Sequence, residues 1–184
     1  KMDIVVGGLR AYNKEVLDEE KRVSLLGHWK HVEEASGLPF LMTGMSQPGF
    51  IYDTEPACRA VVAVRTLADE LPALASLSVF RAIQHAFYAE GKDVTNVGVL
   101  AQICVAALNE LDGGNAFDEA SFLETMSSPM CINETRQDFE QVQRWGIRGF
   151  PALLLLHENA LHMLAAGYTK SANLINAIQE LQRV

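Results

Sequence analysis

The sequence predicts an α/β fold that is helix-rich overall and carries a large all-helical insertion, and three observations support that expectation. A short β-branched run, Asp3-Ile4-Val5-Val6, is closed by Gly7-Gly8. From about Asn13 to Trp145 the hydrophobic residues recur at helical spacing with no further strand signal. After Pro151 the pattern changes to two short apolar runs around a turn, then one amphipathic helix.

The elements follow in order. Ile4-Val5-Val6 reads as a buried strand. Asn13 to Ala35 reads as an amphipathic helix, with Val16, Leu17, Leu25, Leu26, Trp29 and Val32 sharing faces, and Ser36-Gly37 with Pro39 stop it. Residues 39 to 53 form a loop rich in Pro and Gly, in which Phe40, Phe50 and Tyr52 either cover a cleft or pin the loop to the body; pinning is expected. Asp53 or Thr54 can cap the next helix, with Pro56 in its first turn and Ala60, Val61, Val64, Leu67 and Leu71 on its apolar face. Pro72 marks its boundary.

Leu74, Leu77, Phe80, Ile83 and Phe87 continue at helical spacing to Gly91, and Thr95 opens a further helix with Val94 and Val99 as a hydrophobic staple. Gly113-Gly114 break it, and Asp118 caps the next, with Phe117 and Phe122 at staple positions. Pro129 suits the first turn of a helix through Ile132, Phe139 and Val142 to Trp145, ended by Gly146. Leu153 to Leu156, the turn His157-Glu158-Asn159-Ala160, and Leu161 to Ala166 read as a β-hairpin, and Ser171 to Leu181 as a closing helix.

Composition narrows the function. A chain of 184 residues, 49% hydrophobic and 21% charged, can bury a sizeable core, which excludes disorder and fibres. No run approaches the roughly 18 apolar residues of a membrane span, so no membrane partner is expected. A formal net charge of -8 gives a field of the wrong sign for phosphate backbones, so no nucleic acid is expected either. Cys58, Cys104 and Cys131 are odd in number and contain no Cys-x-x-Cys, which signals neither a disulfide framework nor a zinc ribbon. Reduced, mostly buried thiols are expected, although Cys131 lies near a helix start, where the dipole could lower its pKa.

Other chemistry-bearing residues are weaker candidates. His28-x-x-His31 with Glu34 puts three donors on one helical face, but Trp29 and its apolar neighbours favour a half-buried helix with surface histidines, and no metal site is expected. His85, between Ile83 and Phe87, reads as an interior or boundary histidine. His157 and His162 flank the hairpin turn and read as solvated. Asp18, Glu19 and Glu20 form a charged helical face with no opposing acid.

The turn Gly146-Ile147-Arg148-Gly149-Phe150-Pro151 is the most informative segment. A proline opening a buried strand gives up a ladder hydrogen bond; by itself the hexapeptide reads as an ordinary helix-to-strand turn, and the alternative is a cis X-Pro bond, for which a tight turn is the usual place. A cis bond would turn the Phe150 backbone outward, where an extended peptide could pair with it.

A helical insertion followed by this turn, a hairpin and a terminal helix resembles the DsbA-like branch of the thioredoxin superfamily. Three further stretches, Val5 to Arg10, Tyr52 to Ala60 and Phe87 to Val94, look like its bacterial protein-disulfide isomerase-like, FrnE-related group. The resemblance covers nearly the whole chain. It implies a thioredoxin-like fold in which residues 1-10 are the first part, 11-128 the helical insertion, and 129-184 a linking helix with the second part. It also implies a cis Pro151, with Gly149, Phe150 and Pro151 binding substrate, although Ala152 departs from the Thr more usual after this proline.

In that family the proline faces a Cys-x-x-Cys at the start of the first helix, which precedes the strand matched by Ile4 to Val6. The redox cysteines are therefore expected upstream of Lys1; otherwise the strands re-pair without a central neighbour. The implied function is that of a thiol–disulfide oxidoreductase or isomerase acting on protein or peptide cysteines in the cytoplasm. No resident cofactor is expected, and glutathione is a candidate redox partner. Two alternatives are a non-redox module that holds a peptide with the Phe150-Pro151 turn and the loop around Phe50 and Tyr52, and a glutathione-linked isomerase of the 2-hydroxychromene-2-carboxylate type.

Overall fold

Helices claim most of the chain because its hydrophobic residues recur every three or four positions, and among the described residues the strands are confined to the stretch after Pro151. The computed structural model describes residues 2–67, 75–112 and 116–181. Leu71, Pro72, Leu74, Gly113 and Gly114, which the sequence reading used as face and boundary residues, lie outside the described residues. The elements are α1 (Glu19–Ser36), α2 (Glu55–Thr66), α3 (Ala75–Tyr88), α4 (Val97–Asp112), α5 (Glu119–Ser127), α6 (Pro129–Arg144), β1 (Ala152–His157), β2 (Ala160–Ala166) and α7 (Ser171–Leu181). The chain divides into two compact units, Lys1–Phe139 and Glu140–Val184. No helix among the described residues is long and apolar enough to cross a membrane.

The expected strand at Asp3 to Val6 does not form. A strand needs a ladder partner, and here side chains take that role: Val6 N–H donates to Asp138 Oδ2 at 2.9 Å, and the Ile4 carbonyl accepts from Arg65 Nη1 at 3.1 Å. Arg65 Nη2 closes the arrangement at 3.1 Å from the same Asp138 oxygen. Immediately after this clamp the chain turns at Gly8, whose φ is +58°. A Cβ added there would lie 2.6 Å from Phe139 Cε1, so both the backbone conformation and the close approach require glycine.

The first helix starts later than the periodicity suggests. Leu17 N–H donates to the Phe50 carbonyl at 2.8 Å and Val16 bridges Ile51, which holds residues 16–17 extended. Asp18 then caps α1, accepting from the Lys21 amide, and Gly37 ends it in the left-handed region. Trp29, 3% exposed, projects from α1 into the rings of Phe40, Phe87 and Tyr88 at centroid distances of 5.8, 5.3 and 4.9 Å. Phe50 and Tyr52 both contact Phe87, so the aromatics of the 39–53 loop pin it down. Phe50 is buried there and is not offered to a ligand, which removes it from the peptide-holding alternative.

Helix α2 forms the centre of this unit, because Ala60 through Val64 are all buried and contacts therefore surround it. Leu100, Cys104 and Leu108 of α4 and Phe122 and Met126 of α5 complete the core with Val79 and Ile83 of α3. Each buried Leu, Val or Phe contributes about 1.5–3 kcal/mol by leaving water. Phe80, placed on the apolar face by spacing, is 37% exposed, since the buried stripe of α3 runs through Ala75, Val79, Ile83 and Ala86. The α4 cap is Asn96 rather than Thr95: its Oδ1 accepts from the Gly98 and Val99 amides. Asp118 caps α5 as expected, accepting from the Ser121 amide at 3.0 Å.

In the second unit β1 and β2 pair antiparallel from Ala152↔Ala166 to His157↔Ala160. Glu158 and Asn159 between them have φ of 47° and 62°, the two positive values a tight hairpin turn needs. α7 packs against β2.

Candidate functional site

α6 ends at Gly146, which takes φ +70°, and the Ile147 amide returns to the Val142 carbonyl at 3.1 Å. The chain is then released from the helix. Arg148, Gly149 and Phe150 are exposed, the Phe150–Pro151 peptide bond is cis, and β1 begins at Ala152. The Pro151 carbonyl accepts from the Gly167 amide at 2.7 Å, which closes the mouth of the hairpin directly behind the turn. The backbone groups of Gly149 and Phe150 form no hydrogen bond among the described residues. They present an unpaired donor and acceptor to solvent beside an apolar surface, the arrangement to which an extended peptide adds.

That surface is an open groove of about 370 Å³. Ile147, Phe150 and Ala152 contribute from the turn side, and Met163 and Ala166 of β2 with Gly167 just beyond it form the other side. A register irregularity between Leu153 and Leu154, opposite Ala165 and Met163, sets the β2 side. Phe150 is 41% and Met163 50% exposed, large apolar side chains left without cover. The sequence reading named Gly149, Phe150 and Pro151 but not the β2 wall. Counting back from the Glu158-Asn159 turn would have put the end of β2 opposite Ala152; the extra residue of the irregularity is the part that no count supplies.

The three cysteines lie in the first unit, which ends at Phe139. All three are free. Burial pushes the Cys58 thiol up to about 11 despite a hydrogen bond from the Gly8 backbone, and pushes Cys104 up to about 12. Cys131, the one near a helix start, is also raised to about 11 by burial, which outweighs the neighbouring Arg59 and Arg65. Its Sγ donates to the Arg59 carbonyl at 3.5 Å. None of them is a ready nucleophile at neutral pH.

The remaining candidates are dispersed. His28, His31 and Glu34 are exposed on α1, and no group of three or more ligating side chains among the described residues is arranged to hold a metal. His85 is exposed rather than interior: it lies two residues from both Ile83 and Phe87, roughly 200° around the helix from each. It pairs instead with Glu90 at 3.0 Å. His157 and His162 are half-buried rather than solvated, their rings 6.4 Å apart. Asp18 is engaged as a helix cap.

No family profile and no curated protein matches the sequence. Among solved structures, the chain is similar to a candidate protein disulfide isomerase from Nitrosomonas europaea, with 32% identity over 95% of this chain and 80% of that one and a TM-score of 0.80. It is also similar in fold to the cytosolic disulfide reductase DsbM from Pseudomonas aeruginosa, at 18% identity over 95% of this chain and 82% of that one, with a TM-score of 0.71. The same reductase solved with glutathione gives 18% identity, the same coverage and a TM-score of 0.68.

Proposed function

The chain belongs to the DsbA-like family of the candidate protein disulfide isomerase from Nitrosomonas europaea, and from that membership we propose that it takes part in thiol–disulfide exchange on cysteine-containing proteins or peptides. The observation that carries the reading is the turn: an exposed, unpaired backbone at Gly149 and Phe150, beside Pro151 and above an apolar groove. An extended substrate pairs with that backbone and lays its side chains in the groove, which fixes the position of its sulfur.

The exchange itself is conserved in electrons. A thiolate attacks one sulfur of the substrate disulfide, the other leaves as a thiolate, and a second thiol then resolves the mixed disulfide, so that the substrate gains two thiols and the attacking pair becomes a disulfide. The raised thiols of Cys58, Cys104 and Cys131 make them poor candidates for either role, so in this reading the attacking thiol comes from outside these 184 residues. Glutathione is the reductant we assign, supported by the fold neighbour solved with it. The same neighbour, named as cytosolic, supports a cytoplasmic setting.

In this reading residues 1-10 and 129-184 are the two parts of a thioredoxin-like domain and 11-128 its helical insertion. The raised thiols also favour a second reading, in which these residues hold a peptide without redox turnover. Amide-resolved NMR titration with a short peptide bearing S-methylcysteine tests docking: shifts are expected at residues 147–152 and 163–167. Shifts confined to other segments would overturn the docking site. Glutathione-dependent reduction of insulin disulfides then separates redox exchange from holding alone.

A further inference from the structure

Among the nine residues that line the groove, Arg148 alone is charged. Its guanidinium forms no ion pair or hydrogen bond among the described residues, so no internal contact must break before it meets a ligand. The other lining side chains are apolar or glycine and offer no competing donor beyond the backbone. A guanidinium is weakly hydrated and presents a planar fork of donors that matches a carboxylate in two parallel hydrogen bonds. Its position adds a spacing rule. Arg148 precedes Phe150 by two residues, and in an extended peptide docked at Phe150 the side chains return to one face every second residue. A peptide paired at Phe150 therefore brings the residue two places from the paired one alongside Arg148.

The net charge of -8 makes this cation more informative. At long range the chain repels anionic ligands, but that field is screened beyond about 8 Å at physiological ionic strength, which leaves the adjacent cation to decide. We infer that Arg148 makes the groove selective for acidic cysteine peptides, with a carboxylate two residues from the cysteine that docks at Phe150. This rests on the docking reading above and specifies its substrate class.

The test uses three capped pentapeptides with a central S-methylcysteine, Ala on either side of it, and Glu, Gln or Lys at both ends. Affinities come from NMR titration of the 184-residue chain and of Arg148→Lys, Arg148→Gln and Arg148→Glu, with Lys14→Gln as a charge control remote in sequence. The Glu peptide is expected to bind about two- to five-fold more tightly than the Gln peptide, as for a solvent-exposed ion pair, and the Lys peptide more weakly. Arg148→Lys and Lys14→Gln should keep that order, Arg148→Gln should abolish it, and Arg148→Glu should reverse it. Equal binding of all three peptides with shifts at the turn would overturn the acidic preference and leave the docking reading standing. A preference that survives Arg148→Gln would overturn the assignment to this residue. Absence of shifts at the turn with every peptide would overturn both.

Discussion

Asp138 and Arg65 are 3.1 Å apart and together hold the backbone of Ile4 and Val6, a carboxylate oxygen receiving the Val6 amide while the guanidinium donates to the Ile4 carbonyl. Their side chains are only 12% and 30% exposed, so removing one leaves the other partly desolvated with its charge uncompensated. Asp138→Ala is expected to cost about 1–3 kcal/mol of unfolding free energy, the penalty of an unsatisfied buried group. Asp138→Asn keeps an acceptor for Val6 and should cost less. Urea titration measures both; hydrogen exchange at Val6 should accelerate in Asp138→Ala, and unchanged exchange would show that the amide is held by something else.

Gly8 tests packing against the same helix. Gly8→Ala puts a methyl group 2.6 Å from the Phe139 ring and forces an L-residue to hold φ +58°. The two effects together should cost about 2–4 kcal/mol, from overpacking and left-handed strain. Gly8→Ala with Phe139→Leu should recover the steric part alone. Full recovery in thermal unfolding would mean that the backbone conformation carries no cost.

These two sites explain how much of the fold the sequence revealed. Helix α6 and the hairpin were legible because Pro129 and Gly146 suit the first turn and the end of a helix, and because the polar Glu158-Asn159 pair separates two apolar runs. The stretch Ile4 to Val6 was not, since β-branched residues report a preference for extended backbone but not what pairs with it; Asp138 lies 132 residues beyond Val6. Val16 and Leu17 misled for a related reason, having helical spacing while a bond from Leu17 to Phe50 held them extended. At the site, Gly149 to Pro151 could be read from turn chemistry, whereas Met163 joins them only through strand register.

The cysteines give a pH dependence. Cys58 and Cys131 are raised to about 11 and Cys104 to about 12, against an unfolded value near 8.5. The folded state thus holds its thiol protons more tightly, and stability contributed this way is complete below about pH 8.5 and declines as pH rises toward 11 and 12. Lys and Tyr titrate in the same range, so the comparison is between the wild type and a Cys58→Ser/Cys104→Ser/Cys131→Ser variant. The decline in urea midpoint between pH 8 and pH 10.5 should be steeper for the wild type. At pH 7.5 the native thiols should react with a maleimide far more slowly than in guanidinium, and rapid native labelling would refute the assignment of buried, protonated thiols.

Blocking the groove separates its role in binding from any role in stability. Ala166 is exposed, lines the groove and pairs with Ala152 across the hairpin. Replacing it with Trp fills space in the groove, and the β-propensity of Trp suits a strand position. Thermal stability should therefore change by no more than about 0.5 kcal/mol, the usual range for a surface substitution. Peptide affinity should fall by about ten-fold or more, since the indole occupies the path of an extended ligand and about 1.4 kcal/mol of lost contact suffices for that factor. NMR titration with the S-methylcysteine peptide measures the loss. Unchanged affinity in a folded Ala166→Trp chain would move the peptide off the β2 wall and leave the Phe150 backbone as its sole anchor.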